Sequence, residues 1–145
     1  MHAESVSIGP DLLLHGLKIL VVEDDYMVAD VITAALSNHG AEVIGPAPST
    51  AEALRLIRDQ PLSGALLDVN LAGEFCFPLA TALDKRHVPY LFLTGYTDFA
   101  IVPGEFSEVP RMAKPFSIRG LVQCAARHLH VSRSPNRVVS SSSQS

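Results

Sequence analysis

Short apolar runs alternate along the chain with segments that repeat their apolar residues at helical spacing. Five runs predict β-strands: KILVV (18–22), AEVIG (41–45), GALLD (64–68), VPYLFLT (88–94) and PRMAK (110–114). Most of them are apolar throughout, and strands of that kind need cover on both faces. Pro110 cannot donate a hydrogen bond to a sheet ladder, which places the last strand at an edge. The pattern therefore predicts an α/β domain in which helices sandwich a parallel sheet.

The segments between and after these runs predict the covering helices. They span about Tyr26 to Asn38, then 49–58, 77–86 and 117–129. Ser49 and Glu52 have the spacing of a capping box at the start of the second helix. The stretch 95–110 has room for only a turn or two of helix before Pro103 and Gly104. The fourth of five helical segments is therefore predicted to be shortened or irregular.

Composition narrows the class of protein. The 145 residues are 48% hydrophobic, and a net charge of −4 argues against a nucleic-acid-binding surface. Cys76 and Cys124 lack the spacing of a zinc site, which favours free thiols in a reducing cytoplasm. No apolar run reaches the ~18 residues that a membrane span needs, and no signal peptide is indicated. We expect an N-terminal extension (1–16), one domain (17–130) and a disordered Ser-rich tail (131–145).

Polar side chains stand where four of the predicted strands end. They are Glu23 and Asp24 after the first strand, Asp68 at the end of the third, Thr94 at the end of the fourth and Lys114 at the end of the fifth. Each has an ordinary explanation: Asp24 or Asp25 could cap a helix, and Asp68 could form a turn. Thr94 could simply end a strand, and Lys114 could be a surface charge. Because ligands of open α/β sheets bind beyond the carboxyl ends of the strands, the joint placement instead predicts one site.

Three carboxylates in one place are costly unless cations balance them. Glu23, Asp24 and Asp68 offer the hard oxygen donors that Mg²⁺ prefers. With Mg²⁺ and the Lys114 ammonium the formal charge of the group is zero, so the pocket can accept one more anion. A carboxylate can attack phosphorus to give an aspartyl phosphate. The residues thus predict Asp68 as nucleophile, Lys114 as partner of the phosphoryl charge and Thr94 as hydroxyl donor.

The chain resembles a two-component response-regulator receiver domain over about Leu17 to Leu129. The matching motifs are VVEDD (21–25), Asp68 after GALL, Thr94-Gly95 and Lys114-Pro115-Phe116. The resemblance implies the flavodoxin-like doubly wound five-stranded parallel sheet of order 2-1-3-4-5. It assigns Glu23 and Asp24 to the metal-binding pair and Asp68 to the phosphoacceptor. It further implies that the backbone carbonyl of Asn70 binds Mg²⁺, and that the peptide bond before Pro115 is cis.

The same resemblance implies partners and a mode of action. A sensor histidine kinase or a histidine phosphotransfer protein would donate the phosphoryl group, which the domain would hydrolyse slowly itself. The chain shows no output module after Leu129, so we expect a stand-alone cytoplasmic receiver, not an enzyme. It would act by contact with a downstream protein target or as a phosphate sink in a relay. Neither nucleic acid nor a membrane is an expected partner, and the oligomeric state is left open.

Two departures from the family pattern fall between the fourth and fifth strands. Receivers typically carry an aromatic switch residue three positions before the lysine, where this chain has Arg111, and their fourth helix is complete. The stretch PYLFLTGYT (89–97) is similar to the signature Pro-Phe-x-Phe-Ala-Thr-Gly-x-Tyr of a subgroup of stand-alone receivers. It agrees at Pro89, Phe92, Thr94 and Gly95 but differs at three other positions. Tyr96 is a second candidate for the switch role, or packs against the rim of the sheet.

Two alternative functions stay open at this point. A Mg²⁺-dependent phosphatase resembling the haloacid dehalogenase type would also use Asp68 as nucleophile. That family has a second carboxylate two residues later, where this chain has Asn70. A receiver-like binding module that is never phosphorylated would fit Arg111 and the short fourth helix, but not the complete set of acids.

Overall fold

A five-stranded parallel sheet forms the centre of the computed structural model, which describes residues 13–95 and 101–130. In chain order the strands are β1 (Lys18–Val22), β2 (Glu42–Ala47), β3 (Gly64–Asp68), β4 (Asn70–Leu71), β5 (Glu74–Phe75), β6 (Tyr90–Thr94) and β7 (Arg111–Ala113). The sheet has the order β2-β1-β3-β6-β7, while β4 and β5 pair with each other outside it. The predicted 2-1-3-4-5 order is confirmed, because β6 and β7 are the fourth and fifth strands of the sheet.

Four α-helices cover the two faces of the sheet among the described residues. They are α1 (Tyr26–Asn38), α2 (Thr50–Asp59), α3 (Phe77–Lys85) and α4 (Ile118–Ala125). Successive strand residues point to opposite faces. In β1, Ile19 and Val21 are buried with residues of α1 and α4, whereas Leu20 and Val22 are buried with residues of α2 and α3. This sandwich is the predicted architecture. Within the described ranges, no helix has the length and apolar character to cross a membrane.

The cap residues of α1 and α2 follow the sequence pattern. Asp25 caps α1, where its Oδ1 accepts hydrogen bonds from the backbone N–H groups of Met27 at 2.9 Å and Val28 at 3.2 Å. Ser49 Oγ accepts from the backbone N–H of Glu52 at 3.2 Å, which is one of the two bonds of the predicted capping box, and the Glu52 carboxylate pairs with Arg55. Of the two acids that could have capped α1, Asp25 does so.

The packed part of the chain begins before the first strand. Leu14 and Leu17 are buried in the same cluster as α1 and α4. The backbone N–H of Leu14 donates to the carbonyl of His39 at 2.8 Å, which ties this turn to the end of α1. Most of the predicted N-terminal extension (1–12) and the predicted tail (131–145) lie outside the described residues.

In the described part of the segment between β6 and β7, residues 101–110, helix is limited to Ile101 and the 3₁₀ turn Gly104–Phe106. This part fits the predicted shortened or irregular fourth helix. Residues 96–100, on which Tyr96 and the remainder of the predicted helical turn fall, lie outside the described residues. Pro110 precedes β7, and β7 lies at the edge of the sheet.

The last helix differs from its prediction. We predicted regular helix over 117–129, but α4 ends at Ala125 and the chain continues as a π-helical turn at Ala126–His130. Leu129 in this turn is fully buried, and a Cβ added at Gly64 would lie 3.0 Å from its side chain. Leu129 packs against Gly64, the first residue of β3, which has no side chain. This apolar contact lies where the chain changes from α-helix to π-helix.

The β4–β5 hairpin was not predicted. Its two-residue loop consists of Ala72 and Gly73, with φ angles of 54° and 98°. Two positive φ values characterise the tight turns that join antiparallel strands. Asn70 Oδ1 accepts a hydrogen bond from the backbone N–H of Gly73 at 2.8 Å and so closes the loop. Strands of two residues are too short to produce a readable apolar pattern.

Candidate functional site

The predicted acids and the predicted lysine meet at the rim where the strands end. Lys114 Nζ lies 2.9 Å from Glu23 Oε1 and 3.0 Å from Asp68 Oδ2. Carboxylate oxygens of Glu23, Asp24 and Asp68 all lie within 4.8 Å of one another. The arrangement follows from the topology, since β1 and β3 are parallel neighbours and their carboxyl ends share one edge.

The three carboxylates differ in their surroundings. Glu23 and Asp68 are only 2% and 4% exposed, whereas Asp24 is exposed to solvent. Besides its ion pair, Glu23 accepts a hydrogen bond at Oε2 from the backbone N–H of Asp25 at 3.0 Å. A cavity of about 390 Å³ opens beside these acids, and it is also lined by Asn70, Ala72 and Gly73 of the β4–β5 hairpin.

Burial and like charge shift the titration of the site. The pKa of Asp68 is raised from an ordinary value of 3.8 to about 6, chiefly by burial and next by the neighbouring Glu23, while Lys114 acts to lower it. Burial alone lowers the pKa of Lys114, but its hydrogen bonds to Glu23 and Asp68 outweigh burial and raise that pKa above 10.5. Lys114 therefore stays protonated at neutral pH, whereas ionisation of Asp68 costs more free energy than it does in water.

The donor chemistry fits a hard divalent cation. Three carboxylates each offer one oxygen to a common point, and one of them, Asp24, stands free in solvent. Mg²⁺ favours such a set because it binds one or two carboxylates and keeps several waters. Glu23, Asp24 and Asp68 could hold the ion, and Asn70 lies at the same cavity. The specific contribution of the Asn70 carbonyl stays a prediction.

Asn70 also contacts the predicted nucleophile directly. Its backbone N–H donates to Asp68 Oδ1 at 3.2 Å, while Lys114 donates to Oδ2. Both oxygens of Asp68 are thereby oriented by neighbours. The peptide bond between Lys114 and Pro115 is cis, as the family resemblance implies.

Thr94 is placed differently from the acids. It is fully buried, and its Oγ1 donates to the backbone carbonyl of Met112 in β7 at 3.4 Å. At this strand the cavity wall is formed by the next residue, Gly95. The predicted hydroxyl is thus at the correct strand end, but it bonds the neighbouring strand.

Arg111, which occupies the position of the aromatic switch residue, has a defined set of contacts. Its Nη2 donates to the carbonyl of Phe106 at 3.1 Å and to that of Ser107 at 3.4 Å. Its guanidinium carbon lies 6.0 Å from the centroid of the Phe92 ring. Tyr96, the other candidate for the switch role, lies outside the described residues.

Sequence reasoning missed two contributors to this region. One is the β4–β5 hairpin that lines the cavity, for which the loop pair Ala72-Gly73 is only a weak turn signal. The other is an aromatic cluster in which Phe106 stacks on Phe77 at 5.6 Å and meets Phe92 edge-on at 6.1 Å. These rings are far apart in sequence, so no local pattern brings them together.

Comparison with known proteins defines the family. The solved structure of SdrG from Sphingomonas melonis Fr1 is 35% identical, with a TM-score of 0.69, and the match covers 82% of this chain and 98% of that one. The crystal structure of the receiver domain of NtrX from Brucella abortus is 27% identical, with a TM-score of 0.69, over 78% of this chain and 98% of that one. No protein-family model matches the chain.

Curated relatives point to the same family. The sensory transduction protein LytT of Bacillus subtilis is 29% identical over 120 residues, which are 81% of this chain and 50% of that protein. The chain spans about half the length of the curated relatives it matches. Fold, site and relatives agree: the chain belongs to the response-regulator receiver family.

Proposed function

We propose that Asp68 accepts a phosphoryl group, in the presence of Mg²⁺, from a phosphohistidine of a sensor histidine kinase or histidine phosphotransfer protein. One observation carries the proposal. Oxygens of Glu23, Asp24 and Asp68 lie within 4.8 Å of one another, and the Lys114 ammonium lies 3.0 Å from Asp68. This set provides a nucleophile, ligands for a cation and a fixed positive charge, which are the main requirements of phosphoryl transfer.

The chain's own residues would carry the transfer. A carboxylate oxygen of Asp68 forms the bond to phosphorus as the phosphorus–nitrogen bond to the imidazole breaks. The electron pair returns to that nitrogen, and a proton on the other ring nitrogen makes the leaving imidazole neutral. Lys114, which pairs with Asp68 beforehand, donates to a phosphoryl oxygen afterwards. Thr94 donates its hydroxyl once it turns from the Met112 carbonyl.

Glu23, Asp24, Asp68 and the backbone carbonyl of Asn70 would hold the Mg²⁺ ion. When bound, the ion supplies positive charge against the phosphoryl oxygens. Glu23 keeps its ion pair with Lys114 at 2.9 Å, so the exposed Asp24 is the acid most open to the metal.

The phosphorylated domain would signal by protein contact or drain phosphoryl groups from a relay. An aspartyl phosphate adds charge beside Thr94 and the hairpin, and such a local change can bias a two-state element. Attack of water on the acyl phosphate would end the signal slowly. We place these events in the cytoplasm, where the unpaired thiols of Cys76 and Cys124 stay reduced.

Incubation with acetyl phosphate and Mg²⁺, followed by intact-mass measurement, tests the proposal. We expect one labile phosphoryl adduct, no adduct on Asp68→Asn, and no adduct when EDTA removes the metal. The matched control is Asp30→Asn on the exposed side of α1, which should keep the adduct.

Three results would contradict the proposal. An adduct that persists on Asp68→Asn would place the phosphoacceptor elsewhere. Steady turnover of a small phosphate ester would favour the phosphatase alternative. No adduct from either acetyl phosphate or a phosphorylated kinase would favour a module that acts by binding alone.

A further inference from the structure

Arg111 joins the fifth strand of the sheet to the turn that precedes it. Its Nη2 reaches the carbonyls of Phe106 and Ser107, at the end of the 3₁₀ turn Gly104–Phe106, at 3.1 and 3.4 Å. Its guanidinium also lies 6.0 Å from the centroid of the Phe92 ring in β6. A planar guanidinium with several donors can hold two carbonyls and an aromatic face together, which an ammonium cannot.

The backbone of Arg111 is tied to the strands that end at the site. In the pairing of β6 with β7, Phe92 lies opposite Arg111 and Thr94 lies opposite Ala113. The hydroxyl of Thr94 donates to the carbonyl of Met112, the residue next to Arg111. A change in Thr94 therefore reaches β7 at the Met112–Ala113 peptide, one residue beyond Arg111.

The turn that Arg111 holds is packed against the other side of the site as well. Phe106 is buried, and its ring stacks on Phe77 at 5.6 Å with an interplanar angle of 14°. Phe77 opens α3 directly after Cys76, whose backbone N–H donates to the carbonyl of Val69 at 3.0 Å. Val69 follows the predicted phosphoacceptor in the chain. The turn is thus connected to both strand ends, β3 and β6, that border the site.

We propose that Arg111 is a positioning residue that couples phosphorylation of Asp68 to the 104–107 turn, in place of a rotating aromatic side chain. With the site unphosphorylated, Arg111 clamps the turn against β6. When Thr94 turns toward a phosphoryl group, its bond to the Met112 carbonyl is lost, β7 shifts and the clamp loosens. The conformation of the 104–107 turn then differs between the unphosphorylated and the phosphorylated domain. This inference rests on the proposed function, because it requires a phosphoryl group on Asp68.

Amide hydrogen exchange with and without Mg²⁺ and beryllium trifluoride, a phosphoryl mimic, tests the coupling in the full chain. The reporters are the backbone N–H groups of Ser107 and Val109, which donate to Gly104 and Phe106 carbonyls at 3.0 and 3.1 Å. We expect the mimic to speed their exchange in the unsubstituted protein roughly tenfold, the effect of losing one hydrogen bond to a charged group. In Arg111→Ala the exchange should already be fast, and the mimic should change it by less than about twofold.

Two further variants separate coupling from a merely structural role. Arg111→Lys keeps the positive charge but loses the planar guanidinium with its several donors, so its response to the mimic should be intermediate. Arg119→Ala removes an exposed arginine of α4 and should respond like the unsubstituted protein. If Arg111→Ala folds and its turn amides still respond roughly tenfold, Arg111 does not couple the two sites and the inference is overturned.

The occupancy of Asp68 is read independently by fluorine NMR of the bound mimic. Bound mimic on the unsubstituted protein without any change at Ser107 and Val109 would overturn the coupling alone. Failure of the mimic to bind the unsubstituted protein, together with no adduct from either acetyl phosphate or a phosphorylated kinase, would overturn the proposed function and the coupling with it.

Discussion

The two halves of the rim at which the strands end are built differently. Where β1 and β3 end, Glu23 and Asp68 are buried, and both pair with the Lys114 ammonium at 2.9 and 3.0 Å. Lys114 follows β7 in the chain, but its ammonium lies in this half of the rim. Where β6 ends, the Thr94 hydroxyl is occupied by the Met112 carbonyl at 3.4 Å. The charges that would meet a phosphoryl group are therefore in place beforehand, whereas the hydroxyl has to be recruited.

This difference suggests a division of labour. Preorganised charge stabilises a transition state because it needs no rearrangement at the moment of reaction. A hydroxyl that must first leave another partner contributes less to the rate, but its movement can report that the reaction has occurred. The β1–β3 half should then control transfer, and the β6–β7 half should carry its consequence to the turn held by Arg111.

Removing the Lys114 ammonium should have the largest effect on the rate of adduct formation. Lys114→Met should slow adduct formation from acetyl phosphate, at saturating Mg²⁺, by roughly 10²–10³-fold, the usual loss for one preorganised donor. Thr94→Val keeps the buried shape and loses only the hydroxyl, so we expect a loss of about tenfold or less. Intact-mass time courses measure both rates. Lys85→Met, on the exposed end of α3, is the control. Equal losses at Lys114 and Thr94 would refute the division between the two halves.

The burial of Asp68 should appear in the pH dependence of stability. Its pKa is raised from 3.8 to about 6, chiefly by burial, so the folded state favours the protonated acid. Stability from this group is full below pH 3.8, falls as pH rises to about 6, and stays low above it. A shift of about two pKa units corresponds to about 3 kcal/mol. Without metal, Asp68→Asn should therefore raise the free energy of unfolding at pH 7 by about 1–3 kcal/mol.

Urea unfolding in EDTA, followed by circular dichroism, measures this effect. The gain from Asp68→Asn should shrink as the pH is lowered from 7 to 4, since the unsubstituted carboxyl then becomes neutral. Asp59→Asn, at an exposed acid of α2, controls for the general loss of one charge and should show little pH-dependent gain. A gain that is constant across this pH range would mean that the Asp68 carboxyl is not held at an energetic cost.

The sequence predicted the fold because each element is encoded locally. The boundaries of α1 and β3 match the predicted segments, since Asp25 caps the helix and the GALLD run ends at Asp68. The convergence of Glu23, Asp68 and Lys114 also followed, because a parallel sheet brings the carboxyl ends of its strands to one edge.

What the sequence could not predict depends on contacts between distant segments or on backbone geometry. The orientation of the Thr94 hydroxyl is decided by a carbonyl of another strand. The contacts of Arg111 with Phe106 and Ser107 require the path of an irregular segment. The β4–β5 hairpin depends on two positive φ angles, one of them at an alanine, where sequence gives a weak signal.

The smallest predicted effects distinguish two adjacent acids at the end of β1, Asp24 and Asp25. Asp25→Ala removes the N-cap of α1 and should lower the free energy of unfolding by about 1 kcal/mol, with Mg²⁺ affinity nearly unchanged. Asp24→Ala removes an exposed acid of the candidate metal-binding cluster, so metal-free stability should hold while Mg²⁺ affinity falls roughly tenfold or more. Urea unfolding measures the first quantity and titration calorimetry the second, because the chain has no tryptophan to report binding. The reverse outcome, in which Asp25→Ala weakens Mg²⁺ binding and Asp24→Ala does not, would shift the metal-binding pair by one residue. That shift would contradict the register on which the site assignment depends, because in this register Oδ1 of Asp25 is already used to cap α1.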